Sequence, residues 1–215
     1  MYEQIELWNH QKSINSTDDT DPKAQVILSM DGEAIFYRDF FNADESDKLF
    51  LELNASTQWQ QDTIAIFGKR MPLPRLQAWY GDEGKSYTYS GIEQHPKTWT
   101  PVLSAIKARI EQAAQVKFNS VLLNLYRNGK DSVAWHSDDE PELGQNPIVG
   151  SVSFGDTRRF SLKHKQIKDR KVEIDLPHGS FLLMRGATQH YWQHQIAKTT
   201  KAVRPRINLT FRIVR

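Results

Sequence analysis

Near the end of the chain stands the stretch Arg206-Ile207-Asn208-Leu209-Thr210-Phe211-Arg212, in which polar and apolar residues alternate strictly. Successive side chains of a β-strand point to opposite faces. The pattern therefore predicts a strand with two distinct faces. Its apolar face packs on a core, and its other face carries two guanidinium groups, an amide and a hydroxyl.

Similar strand patterns follow one another from residue 119 onward. They are short and are separated mostly by Gly, Pro or Asp turns, which indicates a jelly roll or barrel rather than alternating strands and helices. The predicted strands are Val121–Tyr126, Val149–Phe154, Phe160–Lys163, Val172–Leu176, Phe181–Met184, Tyr191–Ile196 and Ile207–Val214.

The first half of the chain mixes short strands with two helices. Asn42 is expected to cap a helix through about Leu53, and Pro96 to open a second helix to about Gln115. The second helix carries an apolar stripe of Trp99, Val102, Leu103, Ile106 and Ile110. Strands are expected at Gln25–Leu28 and Ala34–Tyr37, around an Asp31-Gly32 turn, and within residues 58–80, around a turn at Phe67-Gly68-Lys69-Arg70.

His136-Ser137-Asp138 is a candidate metal-binding motif. Two histidines and one carboxylate form the facial triad of non-haem Fe(II) sites, which leaves the opposite coordination positions open. A His-x-Asp pair alone occurs by chance in many proteins. Either His190 or His194 is suitable as the third ligand, and spacing alone does not choose between them.

The two arginines of the last strand, Arg206 and Arg212, predict an anionic ligand. Two buried guanidinium groups need two anions, and a small dicarboxylate such as 2-oxoglutarate supplies both through bidentate pairing. Asn124 and Tyr126 repeat the alternating pattern ten residues before His136. They are expected either beside the metal or on a half-buried edge strand.

Composition and charge limit the function classes. The chain has no run of 18 apolar residues, which predicts no membrane span, and its start lacks the pattern of a secretion signal. Cys is absent, which excludes disulfides and thiolate metal sites and is compatible with a reducing, intracellular compartment.

The charges are unevenly distributed along the chain. Residues 157–215 hold 14 Lys and Arg against 3 Asp and Glu, whereas residues 1–156 hold 14 Lys and Arg against 23 Asp and Glu. The basic part suggests nucleic acid as partner; the alternative is that these charges pair with the acidic part.

Several motifs in order resemble the AlkB family of Fe(II)/2-oxoglutarate dioxygenases, in particular its animal DNA-repair homologues. The resemblance covers roughly residues 60–215. It rests on Phe67-Gly68-Lys69, Pro74-Arg75, Tyr80-Gly81-Asp82, Tyr87-Thr88-Tyr89-Ser90-Gly91, Asn124-x-Tyr126-x-x-Gly129-x-Asp131, His136-x-Asp138-Asp139-Glu140, Ser151-Val152-Ser153-Phe154-Gly155, Trp192-x-His194 and Pro205 to Arg212.

The resemblance implies an α+β fold with a double-stranded β-helix (jelly roll) core and supporting N-terminal helices. The resemblance does not reach residues 1–23, whose polar composition predicts a mobile leader. Residues 24–215 form one dioxygenase domain, in which residues 24–118 recognise the nucleotide and support the core, and residues 119–215 form the catalytic core.

The site residues implied by the resemblance fall into three groups. The iron ligands are His136, Asp138 and His194, since His194 occupies the Trp-x-His position. The residues around 2-oxoglutarate are Asn124, Tyr126, Arg206, Asn208, Thr210 and Arg212, with Arg206 at the distal carboxylate and Arg212 near the metal-bound end. The substrate-binding residues are Phe67, Gly68, Lys69, Arg75, Tyr87, Thr88, Tyr89, Asp139 and Glu140.

The activity that the resemblance implies is oxidative demethylation of alkylated DNA bases, chiefly N1-methyladenine and N3-methylcytosine. The base is flipped out of the duplex, and Phe67 at a hairpin tip enters the gap; the alternative for Phe67 is a packing residue at a turn. The expected protein is a monomer, in the bacterial cytoplasm or the eukaryotic nucleus. Two alternatives remain: the same chemistry on single strands, RNA or protein, and a non-catalytic module that binds nucleic acid or lesions.

Overall fold

The computed structural model describes residues 24–66, 69–84, 87–89, 92–94 and 96–215, with side chains at all of these except 65, 66, 69, 87–89 and 92–94. The helices are α1 (Ala43–Ser56), α2 (Pro101–Ala114) and α3 (Thr188–Tyr191). The strands are β1 (Ala24–Leu28), β2 (Glu33–Tyr37), β3 (Thr63–Ile66), β4 (Lys69–Pro72), β5 (Leu76–Gly81), β6 (Tyr87–Tyr89), β7 (Ile92–Gln94), β8 (Ser120–Tyr126), β9 (Val133–His136), β10 (Val149–Gly155), β11 (Arg158–His164), β12 (Lys171–Leu176), β13 (Ser180–Arg185), β14 (Trp192–Ile196) and β15 (Arg206–Arg212).

Two antiparallel sheets form the centre of the fold. The larger sheet has the order β1-β2-β13-β10-β15-β8-β5, and the smaller sheet has the order β12-β11-β14-β9. Strands distant in sequence are neighbours in both sheets, as in a jelly roll. The predicted jelly-roll core with supporting helices is confirmed.

Two apolar clusters define three layers. One cluster joins α1 and α2 to one face of the larger sheet, through residues such as Leu53, Ile106 and Leu209. The other lies between the two sheets, where Leu182 of the larger sheet and Leu162 of the smaller one are both fully buried. The order is helices, larger sheet, smaller sheet.

The alternation along β15 places its two faces in different layers. Ile207, Leu209 and Phe211 belong to the cluster on the helical side. Because neighbouring side chains of a strand point to opposite faces, the polar residues between them face the smaller sheet. The predicted division of this strand into a packing face and a site face is confirmed.

The first helix begins where predicted. Asn42 is its N-cap, and the side-chain oxygen of Asn42 accepts a hydrogen bond from the backbone N–H of Glu45 at 2.9 Å. The helix ends at Ser56, three residues beyond the predicted end. Asp31 and Gly32, both with positive φ, form the turn expected between β1 and β2.

The second helix begins later than predicted, at Pro101 with Thr100 as its N-cap. The prediction of a start at Pro96 is wrong because the backbone of Lys97 bonds to the neighbouring strand: its N–H donates to Trp79 and its carbonyl accepts from Gly81. Trp99 therefore precedes the helix, but its ring still faces the core and stacks on Phe211 at 6.3 Å.

Other predictions of strands and turns also differ from the structure. Lys69 and Arg70 belong to β4 rather than to the predicted turn, whose first two residues lie outside the described residues. Tyr191 ends α3 rather than beginning a strand, and β9 was not predicted.

No helix among the described residues is long and apolar enough to cross a membrane.

Candidate metal and cosubstrate site

Three candidate metal ligands lie together between the sheets. His136 ends β9, Asp138 follows it two residues later, and His194 lies on β14 directly opposite His136. Their ligand atoms lie within 4.8 Å of one another. His190 lies exposed on α3 and is not part of this cluster. The tertiary structure therefore favours His194 over His190, a choice that spacing left open.

The two buried ligands have strongly shifted pKa values. Burial lowers the pKa of His194 to about 3, and the neighbouring His136 adds to this effect. Burial by itself raises the pKa of Asp138, but Arg212 and both histidines outweigh it and lower this pKa to about 2. At neutral pH the cluster therefore offers a neutral imidazole and a carboxylate, the protonation states that bind a metal.

The Asp138 carboxylate has one satisfied and one unsatisfied oxygen. Its Oδ1 accepts a hydrogen bond from Nη2 of Arg212 at 2.6 Å. Its Oδ2 is buried, has no hydrogen-bond partner among the described residues, and lies 3.9 Å from Nε2 of His194. A buried anionic oxygen without a partner is costly, so this position fits a cation.

Arg206 is a buried cation with incomplete hydrogen bonding. It is 1% exposed, and its Nη2 donates to Oγ of Ser153 at 2.9 Å. Its Nε and Nη1 are buried and have no hydrogen-bond partner among the described residues. Burial lowers the pKa of Arg206 to about 10, so the group remains charged at neutral pH. It fits a carboxylate that binds both unsatisfied N–H groups.

Tyr126 lies between two guanidinium groups. The guanidinium carbon of Arg206 lies 5.2 Å from the centre of its ring, and that of Arg158 lies 5.7 Å from it. Arg158 is 4% exposed and donates to the backbone carbonyls of Asp131 and Ala197. It therefore connects Tyr126 to two loops that border the site.

Amide and hydroxyl groups complete the polar wall of the site. Oδ1 of Asn124 accepts hydrogen bonds from Arg75 and Gln77, both at 2.8 Å. The amide of Asn208 donates to Oγ of Ser151 at 2.9 Å, and the hydroxyl of Thr210 donates to Asn208. The bond between Asn208 and Ser151 joins the site face of β15 to β10, and those of Asn124 join β8 to Arg75 and to β5.

One cavity joins the metal cluster to Arg206. Its lining includes His136, Asp138, His194, Asn124, Tyr126, Arg206, Asn208, Thr210, Arg212 and Arg75. A cation at the His-Asp-His cluster and a dicarboxylate reaching Arg206 would satisfy the unpartnered atoms at both ends. The residues present therefore fit Fe(II) and 2-oxoglutarate.

The predicted substrate-binding residues are only partly brought to this cavity. Arg75 lines it, although it was assigned to the substrate. Asp139 points to a neighbouring surface pocket and pairs with Lys165 at 3.2 Å, and neither Asp139 nor Glu140 lines the cavity. Phe67 and Gly68 lie outside the described residues, as do the side chains of Lys69, Tyr87, Thr88 and Tyr89.

The sequence reasoning did not assign four residues that hold the site in place. Ser151 and Ser153 alternate on the strand beside β15, and this alternation was a usable signal. Arg158 and Gln189 gave none, because their partners are backbone groups remote in sequence.

Comparison with known proteins agrees with this geometry. Residues 33–212 match the model of the 2OG-Fe(II) oxygenase superfamily. The chain is 43% identical to human alpha-ketoglutarate-dependent dioxygenase alkB homolog 3, over 88% of this chain and 70% of that protein. It is 37% identical to mouse DNA oxidative demethylase ALKBH2, over 86% of this chain and 82% of that protein.

A solved structure, entitled "The structure of OsALKBH1", shares the fold. Its TM-score is 0.61 at 16% identity, over 88% of this chain and 100% of that chain. The family match, the relatives and the His-Asp-His cluster together identify the cofactor as Fe(II) and the cosubstrate as 2-oxoglutarate. The chain belongs to the 2OG-Fe(II) oxygenase superfamily and, within it, to the AlkB homologues.

Proposed function

We propose that this dioxygenase repairs alkylated DNA bases by oxidative demethylation, with N1-methyladenine and N3-methylcytosine as its chief lesions. The observation that carries the proposal is the single cavity that joins His136, Asp138 and His194 to the buried Arg206. The choice of DNA is supported by the relative that is named a DNA oxidative demethylase.

Each end of the cavity has its own task in this proposal. His136, Asp138 and His194 hold Fe(II), and Arg206 with Tyr126 binds the distal carboxylate of 2-oxoglutarate. Together with O₂, bound Fe(II) and 2-oxoglutarate would supply the oxidation of the N-methyl carbon. This carbon would then leave the base as formaldehyde. Arg212 holds one oxygen of Asp138, so the other, 3.9 Å from Nε2 of His194, would be available to bind Fe(II).

Several ionisable residues of this site are buried, and burial strengthens their interactions. Asp138, His194 and Arg206 are each at most 5% exposed, which keeps bulk water from the ligands. Charge interactions are stronger where water is excluded. The chain thus provides a dry, preorganised site that binds the cosubstrate at both ends.

DNA reaches the site as a flipped base, because the N-methyl group on the Watson–Crick edge is inaccessible in a stacked duplex. The basic C-terminal part provides contacts for phosphates. Lys198, Lys201 and Arg204 are exposed, and their side chains make no ion pair with the described residues. We place the enzyme where the DNA is, in the bacterial cytoplasm or the eukaryotic nucleus.

Residues 24–215 act as one domain and as a monomer in this proposal, because the site residues on β8, β9, β14 and β15 come from one chain. Asp139 and Glu140 do not line the cavity, so in this proposal their charge favours the cationic ring of these lesions only from outside the cavity.

The test is incubation of the protein with Fe(II), 2-oxoglutarate and a DNA oligonucleotide that carries one N1-methyladenine. We expect the oligonucleotide to lose the mass of one CH₂ group and formaldehyde to appear. The Asp138→Ala variant and an unmethylated oligonucleotide are the controls. Demethylation of RNA but not of DNA would overturn the substrate assignment, and no turnover of any methylated nucleic acid would overturn the proposal.

A further inference from the structure

We propose that Gln189 is a positioning residue that holds Asp138 in the orientation needed to bind the metal. This inference rests on the proposed metal site. Gln189 is 1% exposed, and its side-chain oxygen accepts a hydrogen bond from the backbone N–H of Asp138 at 3.0 Å.

Asp138 lies beyond the strand that carries its partner ligand. β9 ends at His136, which pairs with His194 of β14, so both histidines are held by the ladder of the smaller sheet. Strand hydrogen bonds fix only the residues inside a ladder. The position of Asp138 relative to the histidines therefore depends on side-chain contacts.

Three such contacts connect residues 137–139 to the segment before His194. Ser137 donates to the carbonyl of Trp192 at 2.9 Å, and Gln189 accepts from the N–H of Asp138. The ammonium group of Lys165 bonds both to the carboxylate of Asp139, at 3.2 Å, and to the backbone carbonyl of Gln189, at 3.0 Å. Among these contacts, only that of Gln189 is made to Asp138 itself.

The helix α3 that carries Gln189 is itself well anchored. The hydroxyl of the neighbouring Thr188 donates to the carbonyl of Arg185 at 2.6 Å and accepts from the N–H of Glu33 at 2.9 Å. Gln189 also precedes His194 by five residues. The segment that begins at Thr188 therefore contacts the backbone of one ligand, Asp138. It then continues into the strand that carries another ligand, His194.

Because Asp138 also bonds to Arg212, the position of the Asp138 backbone affects how its carboxylate is oriented. The 2.6 Å hydrogen bond of Arg212 is made to Oδ1 of the Asp138 carboxylate. In the structure Oδ1 accepts from Arg212, Oδ2 lies 3.9 Å from Nε2 of His194, and the backbone N–H of Asp138 donates to Gln189. Without Gln189, a buried N–H loses its acceptor, and the carboxylate is free to turn toward Arg212. The Asp138 carboxylate would then bind the metal less tightly.

The experiment measures metal affinity rather than turnover. Metal-free wild-type protein, Gln189→Met and Gln189→Glu are titrated with Co(II), followed by its visible absorption. Gln189→Met removes the acceptor at similar size, and loss of a group that orients a ligand typically weakens metal binding about 10–100-fold. We expect a loss of at least about tenfold for Gln189→Met, and a much smaller loss for Gln189→Glu, which keeps an acceptor oxygen.

Gln195→Met is the matched control, because Gln195 lies on β14 near His194 but its side chain makes no hydrogen bond to the described residues. It should bind Co(II) like the wild type. Circular dichroism of each metal-free variant establishes that it is folded. If Gln189→Met does not fold, the Co(II) affinity of Gln189→Asn tests the inference instead. The asparagine side chain is too short to reach the N–H of Asp138, so the same loss of affinity is expected.

The outcomes separate this inference from the proposed function. If the wild type does not bind Co(II), the proposed metal site itself is wrong. If the wild type binds and the folded Gln189 variant without the acceptor binds within tenfold of it, the metal site stands and the positioning role is wrong. Equal losses in Gln189→Met and Gln195→Met would also overturn the role of Gln189.

Discussion

Arg212 and Asp138, 74 residues apart in sequence, share a buried hydrogen bond of 2.6 Å that leaves one carboxylate oxygen on the side of His194. The arginine keeps the carboxylate charged: its charge and hydrogen bond contribute to lowering the pKa of Asp138 to about 2 against the effect of burial. This contact thus contributes to both the orientation and the charge of a metal ligand.

Replacing any one of the three ligands should abolish turnover. We expect His136→Ala, Asp138→Ala and His194→Ala to lose Fe(II), because a triad that lacks one ligand holds the metal loosely. His190→Ala is the control and should retain most activity, since His190 is exposed and lies outside the cluster. The measurements are metal content and demethylation rate. An inactive His190→Ala with an active His194→Ala would show that the wrong histidine is assigned.

Arg206→Ala should raise the KM for 2-oxoglutarate strongly. It removes the charged partner of a carboxylate in a buried site, which costs about 2–4 kcal/mol. The KM for the DNA should change much less, because Arg206 is fully buried between the sheets. Steady-state kinetics with each substrate varied in turn checks this. An unchanged KM for 2-oxoglutarate would contradict the assignment, whatever happens to kcat.

Arg158→Lys should destabilise the protein although it keeps the charge. Lysine has a single nitrogen, whereas Nη2 of Arg158 donates to the carbonyls of Asp131 and Ala197 and Nη1 donates to the carbonyl of Asn128. Leaving a buried carbonyl without its donor costs about 1–3 kcal/mol. Urea unfolding measures the free energy, with Arg159→Lys on the exposed face of the same strand as control. Equal effects of the two substitutions would contradict a special role for Arg158.

The carboxylate of Asp131 should make the stability depend on pH in acid. Burial raises its pKa, but the hydrogen bonds and charge of Arg127 outweigh this and lower the pKa below its ordinary value. A lowered folded-state pKa gives stability that is present above the unfolded-state value, about 3.9, and lost as the pH falls through the folded-state pKa.

The Asp131→Asn variant tests this dependence by urea unfolding at a series of pH values. The wild type should be more stable than the variant at neutral pH, and the difference should shrink below about pH 4. Asp39→Asn, at an exposed position whose carboxylate makes no ion pair with the described residues, should show no such convergence. A difference that stays constant down to pH 2 would contradict the role of the carboxylate.

Phe67→Ala should slow repair of methylated duplex several-fold while leaving single-strand repair nearly intact. An apolar side chain in the gap left by a flipped base replaces lost stacking, and a single strand has no such gap. Rates on the two substrates, measured side by side, check this. Equal losses would mean that Phe67 is a packing residue.

Local pattern was enough to predict most strands of the core, although not β9, and the site face of β15. The period of two along Arg206–Arg212 is a local property, and burial of Ile207, Leu209 and Phe211 on the helical side leaves the alternate residues only the other face. The helix at Asn42 was also predictable, because its cap is made by a residue three positions away.

Only the tertiary structure decided the features that depend on contacts distant in sequence. The start of α2 was mispredicted because the bonds of Lys97 to Trp79 and Gly81 are not local. Spacing alone left His190 and His194 open; the Trp-x-His resemblance favoured His194, and its pairing with His136 across the smaller sheet gives the physical reason. Gln189 and Arg158 acquire their roles from backbone groups 51 and 27 or more residues away. Hydrophobic periodicity specifies which face of a strand is buried, whereas the folded chain determines which polar groups meet there.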